Sequence, residues 1–70
     1  MKEIISPMGG KVIDIKVKIG AFINEDDEVL TLEAMKMELP IVATDSGIVK
    51  EITCSKGSNV ETNDVLVILE

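Results

Sequence analysis

Slid against itself by 37 residues, the sequence falls into a register without a gap. Gly10 lies on Gly47, Val12 on Val49, Ile15 on Ile52, Gly20 on Gly57, Asp27 on Asp64, Leu32 on Leu69 and Glu33 on Glu70. These are seven identities over the 24 positions 10–33. The substitutions around them are mostly conservative, as in Ile5 with Val42, Asp14 with Glu51 and Ile23 with Val60. Two copies of one supersecondary unit, related by a pseudo-twofold, is the economical reading, and a repeat of this kind dictates the architecture before any local propensity does.

Each copy holds short apolar runs separated by turn signals, the pattern of an all-β sandwich or barrel. Of the 70 residues, 18 are Ile or Val, whose branched side chains favour strands over helices. Strands are expected near 2–6, 11–18, 22–24 and 28–34, and again near 38–43, 48–54, 59–61 and 65–69, all within one domain spanning 1–70. Ser6-Pro7-Met8-Gly9-Gly10 and Thr44-Asp45-Ser46-Gly47 occupy matched turns. Gly20 and Gly57 mark positions expected to need positive φ, and Asp26 and Asn63 suit left-handed backbone. Ile15 and Val17 share a parity that Val12 breaks, and Ile52 and Cys54 stand in the same relation to Val49. A bulge near 13–14 and another near 50–51 would turn all six inward; the alternative is a strand apolar on both faces.

The missing residue types remove whole chemistries. There is no His, so the commonest metal ligand and the usual neutral-pH acid–base group are absent. There is no Arg to form a fork for phosphate or carboxylate. A net charge of −6 and a single aromatic, Phe22, disfavour nucleic-acid binding. Cys54 is the only cysteine and reads as a small buried hydrophobe, with no disulfide framework or zinc cluster possible. The acidic run Glu25-Asp26-Asp27-Glu28 lacks the spacing of a calcium loop and reads as a solvated turn. No apolar run approaches the ~20 residues that span a bilayer, so no direct membrane insertion is expected, and the N-terminal residues lack a signal-like core. The expected location is cytoplasmic, and the expected role is not that of an independent enzyme.

Glu33-Ala34-Met35-Lys36-Met37-Glu38-Leu39 is made of good helix formers and, taken alone, predicts two helical turns ending before Pro40. The repeat argues otherwise. It makes 1–33 and 38–70 equivalent, which leaves Ala34 to Met37 as a four-residue connector between matched strand units. Such a link suits a tight hairpin, yet it lacks the Asn-Gly or Gly-X residues these turns prefer. A turn built from unsuitable residues points to function.

Glu33-Ala34-Met35-Lys36-Met37-Glu38, placed at the pseudo-symmetric midpoint of the chain, resembles the attachment motif of biotinyl domains, the biotin carboxyl carriers. The resemblance extends over the whole chain and includes the paired glycines. It implies a flattened barrel-sandwich of two four-stranded antiparallel sheets, with Lys36 on an exposed hairpin at one end and both termini at the other. It implies covalent biotin on Lys36, added by a biotin–protein ligase. The arm would swing carboxylate from biotin carboxylase to a carboxyltransferase or decarboxylase subunit, the domain itself being a non-catalytic carrier. A free lysine amine is mostly protonated at neutral pH, and without His activation must come from the ligase. By the same resemblance Met35, Met37, Ala34 and Glu33 are read by the ligase, while Glu38 reads equally well as a solvated strand residue. Asp26 stands where many members have Gly, and Ala21 where an acidic residue is common. The gapless register leaves no room for the protruding thumb of some carriers, so a thumbless member is expected, similar to the carriers of transcarboxylases, acyl-CoA carboxylases and decarboxylases.

Two alternatives share this architecture. A lipoyl carrier domain of a 2-oxoacid dehydrogenase-type complex has a lysine at the same turn, but typically as Asp-Lys-Ala where this chain has Met35-Lys36-Met37. An unmodified barrel-sandwich adaptor normally carries a long insertion at the midpoint, where this chain has a tight turn.

Overall fold

The two halves of the chain make equivalent sets of four strands. In the computed structural model, which describes residues 2–70, these are β1 (Lys2–Ile5), β2 (Gly10–Ile15), β3 (Phe22–Ile23) and β4 (Glu28–Ala34). They are followed by β5 (Met37–Val42), β6 (Gly47–Ile52), β7 (Asn59–Val60) and β8 (Val65–Leu69). Met1, the first residue of the expected 1–70 domain, lies outside the described residues. The strands form two four-stranded antiparallel sheets, ordered β1-β8-β6-β3 and β5-β4-β2-β7. This is the expected flattened barrel-sandwich.

The 37-residue register carries one sheet onto the other, pair by pair. In β1–β8, Lys2 faces Leu69, Ile4 faces Val67 and Ile5 faces Val65; in β5–β4, Leu39 faces Leu32, Ile41 faces Leu30 and Val42 faces Glu28. Gly10 faces Val60 in β2–β7, as Gly47 faces Ile23 in β6–β3. The loops obey the same rule. Gly20 donates its N–H to Val49 at 2.8 Å and Gly57 donates to Val12 at 2.6 Å, with φ of 92° and 91°. Asp26 and Asn63, with φ of 75° and 72°, take the left-handed backbone expected of them.

The bulges fall where the broken parity requires them. The β2–β4 register shifts between Val12 and Asp14, and the β6–β8 register between Val49 and Glu51. Val12 and Val49 are thereby buried in the core, and Ile15, Val17, Ile52 and Cys54 pack against it. That core also takes Ile4, Leu30, Leu32, Leu66, Val67 and Leu69, all within 1% exposure, so each half contributes to a single interior. Burying side chains of this size is worth about 1.5–3 kcal/mol each, and a domain this small has few to spare.

One expectation needs correction and a second is extended. The runs 11–18 and 48–54 leave the ladder earlier, at Ile15 and Ile52. Beyond those points Lys16 still donates to Val29 (2.8 Å) and Thr53 to Leu66 (2.9 Å), but the chain then departs toward the glycine turns. The acidic turn is also more than a solvated surface. Asp27 Oδ2 accepts the N–H of Asn24 at 2.8 Å, and Asp64 Oδ2 accepts that of Glu61 at 2.8 Å. One carboxylate in each copy therefore closes its turn, and the self-identity of Asp27 and Asp64 has this structural cause.

Candidate functional site

The midpoint connector is a two-residue turn. The β4–β5 ladder continues through Leu32↔Leu39 and Glu33↔Glu38 to Ala34↔Met37, which leaves only Met35 and Lys36 outside it. A connection this short closes with a right-handed strand twist when both central residues have positive φ. Met35 and Lys36 have φ of 52° and 64°. Neither is Gly, Asn or Asp, and left-handed backbone costs an ordinary L-residue about 1–2 kcal/mol. The ladder supplies what holds the turn there. β4 lies between β5 and β2, with Leu30 and Leu32 fully buried. The helical propensity of this segment, worth only tenths of a kcal/mol per residue, is overridden by that burial.

The turn projects its side chains into solvent. Met35 is 84% exposed and Met37 65%, and Lys36 is exposed between them. No ion pair found among the described residues involves Lys36, whereas Lys2 pairs with Asp45 and Lys16 with Asp14. The arrangement therefore offers a primary amine at the apex of a braced hairpin, with an apolar thioether on either side.

The other expected residues form the base. Glu33 and Glu38 are both exposed and directly opposite each other, a like-charge pairing that weakens rather than strengthens a sheet. Lys11 faces Glu33 from the other side, so the row across the sheet runs Glu38, Glu33, Lys11. Ala34 is 8% exposed, so the motif's four other expected positions surround it at the surface while it packs beneath the turn. A Cβ built on Gly10 would stand 2.7 Å from the Glu33 carbonyl oxygen and 3.4 Å from Ala34 Cβ. Gly10 is thus part of the support for the hairpin, a role that sequence reasoning missed. Its signal was the identity with Gly47, where the same Cβ would meet the Glu70 carbonyl at 2.6 Å.

Among the described residues no group of three or more His, Cys, Asp or Glu side chains is placed to hold a metal ion, and no helix is long and apolar enough to cross a membrane. Cys54 is half-buried, and burial pushes its thiol above the ordinary value. It belongs to the framework rather than to the hairpin.

A family model described as biotin-requiring enzyme, of the biotin/lipoyl type, matches residues 2–69. The chain is 48% identical over 60 residues to the biotin/lipoyl attachment protein of Bacillus subtilis, covering 86% of this chain and 82% of that protein. It is 42% identical over 65 residues to the human mitochondrial propionyl-CoA carboxylase alpha chain, covering 93% of this chain but 9% of that one. Among solved structures, the urea carboxylase of Kluyveromyces lactis matches 99% of this chain with a TM-score of 0.91 at 29% identity, over 6% of its own length. The chain therefore spans less than a tenth of either carboxylase.

Proposed function

The chain belongs to the biotin/lipoyl attachment family, and from that premise we propose that it is a biotin carboxyl carrier with biotin joined by an amide to the Nζ of Lys36. The observation that carries this reading is the exposed Met35-Lys36-Met37 apex, where the lysine has a methionine on either side and, among the described residues, no ion-pair partner. Similarity to a carboxylase chain over nearly all of this sequence supports it. When bound, biotin supplies a ureido nitrogen that takes up and releases carboxylate.

The chain's own contribution is positional. The β4–β5 ladder fixes the direction of the hairpin, and the two-residue turn leaves Lys36 exposed beyond the last ladder pair. Forming the amide requires the amine to lose a proton. The chain offers no His to take it, so a biotin–protein ligase must both activate the acid and remove the proton. Met35 and Met37 are the apolar surface such a ligase reads, with Glu33 at the rim. Ala34 acts from beneath by letting the hairpin base close on Gly10. The partners that follow are a biotin carboxylase and a carboxyltransferase or decarboxylase subunit.

A lipoyl carrier is the second reading, because the family and its Bacillus member bear both attachments in their descriptions. The test offers the purified chain ATP, biotin and lipoate together with a biotin ligase and a lipoate ligase, and reads intact mass. One biotin per chain is expected. Lipoate in its place, or no adduct, overturns the proposal.

A further inference from the structure

The two thioethers beside Lys36 differ from the third methionine among the described residues. Met8 is half-buried, in the turn where the Ser6 hydroxyl donates to its carbonyl at 2.5 Å. Met35 and Met37 are 84% and 65% exposed, and neither belongs to the buried core. Both residues are exposed to a dissolved oxidant, and both are chain neighbours of Lys36, which bears the acceptor amine.

We propose that Met35 and Met37 form a paired thioether oxidation site, at which a hydroperoxide converts one or both to the sulfoxide and so slows modification of Lys36. The inference rests on the reading of this hairpin as the ligase-recognised site. In the step itself, a sulfur lone pair attacks one peroxide oxygen. The S–O bond forms as the O–O bond breaks, the sulfur is oxidised by two electrons, and hydrogen peroxide is reduced to one water. No further reductant or oxidant is needed. The product is a polar, chiral side chain in place of a flexible apolar one. A protein surface shaped for a thioether leaves the new oxygen without a donor, and such an unmet acceptor is costly. A fall in rate on the order of tenfold is expected from a penalty of that kind.

The fold should be indifferent to this change, because neither sulfur belongs to the core. Cys54, the one thiol in the sequence, packs against that core and is half-buried, and reactive thiols need exposure and thiolate character. The chemistry is also reversible by a known class of enzyme, since methionine sulfoxide reductases act on each sulfoxide epimer whereas a simple thiol reductant does not.

The experiment treats the full unmodified chain with graded hydrogen peroxide, removes it, and measures the biotinylation rate with a biotin ligase alongside peptide mapping. Oxygen should arrive at Met35 and Met37 before Met8. The rate should fall about tenfold while the thermal melt stays unchanged, as expected for altered surface contacts. Treatment with both reductase types should restore the rate, and dithiothreitol should not. A Met8→Leu variant should lose rate to the same degree. A rate unchanged when both flanking methionines carry oxygen, or a loss that tracks Met8 or reverses with dithiothreitol, overturns the proposal. The untreated sample separates the two readings. Absence of biotin there contradicts the carrier assignment, whereas normal biotinylation before and after oxidation contradicts only this inference.

Discussion

Met35 holds a left-handed backbone, φ 52°, that its side chain disfavours. Glycine at that position removes the steric cost of about 1–2 kcal/mol, offset in part by the greater freedom of glycine in the unfolded chain. Met35→Gly should therefore stabilise the domain by up to about 1 kcal/mol in urea denaturation, while slowing biotinylation because a ligase contact is gone. A stability gain bought with lost activity is the pattern expected of a strained functional turn. If Met35→Gly destabilises the domain, strain at this residue is not what the turn contains. Gly10 makes the converse case. Its alanine Cβ would press on the Glu33 carbonyl at 2.7 Å, and overpacking of this kind costs about 1–3 kcal/mol. Gly10→Ala should lower the melting temperature and also the biotinylation rate, since the displaced carbonyl is at the base of the hairpin. An unchanged melt would show that the strand yields freely there.

At the scale of elements, the repeat outweighed local propensity wherever the two disagreed. The stretch from Glu33 to Leu39 has the composition of a helix, yet its position between equivalent halves made it a hairpin. Only the length of the turn was less legible, because pairing of Ala34 with Met37 depends on a ladder that composition does not encode. The bulges at Val12/Asp14 and Val49/Glu51 were legible because a parity break was present twice. The closing carboxylates were not, because the three acids adjoining Asp27 in the run Glu25-Asp26-Asp27-Glu28 hid the one that closes the turn. Asp27→Ala and Asp64→Ala should each cost about 1 kcal/mol, the worth of one such hydrogen bond, and should agree with each other within about 0.5 kcal/mol. Urea melts of the two variants check this, and a cost for only one would break the equivalence of the turns. The hairpin's own specificity can be moved by its flanks. Met35→Asp with Met37→Ala should retain the fold, lose biotinylation rate and accept lipoate from a lipoate ligase. Wild-type biotinylation of that double variant would show that the methionines are not what the ligase reads.

Across the whole molecule, the pseudo-twofold serves as an internal control on what the fold requires. Phe22 is 63% exposed and Ile48 45%, and they face each other across β3–β6. Their counterparts Asn59 and Lys11 face each other in the same register across β7–β2. The framework therefore accepts polar residues at these positions, and Phe22→Asn and Ile48→Lys should each change stability by no more than about 1 kcal/mol. A larger loss in the melt would mean that the halves are equivalent in backbone alone. The same logic explains how much of the site was readable. The repeat showed only that Lys36 stands between the two equivalent halves, where by itself it reads as an ordinary solvated lysine. What singled it out was the resemblance of Glu33-Ala34-Met35-Lys36-Met37-Glu38 to the attachment motif of biotinyl domains. Gly10 was hidden because its closeness to Glu33 exists only after two strands pair. The central claim is that this one lysine, among seven, receives biotin because of where the hairpin places it. The most direct test is intact mass with peptide mapping of the chain and its Lys36→Arg variant, each produced with a biotin ligase and excess biotin. A guanidinium keeps the charge but offers no primary amine. The account predicts one biotin, on Lys36, in the chain and none in the variant, with melting temperatures alike; biotin on any other lysine, or on the Lys36→Arg protein, would contradict it.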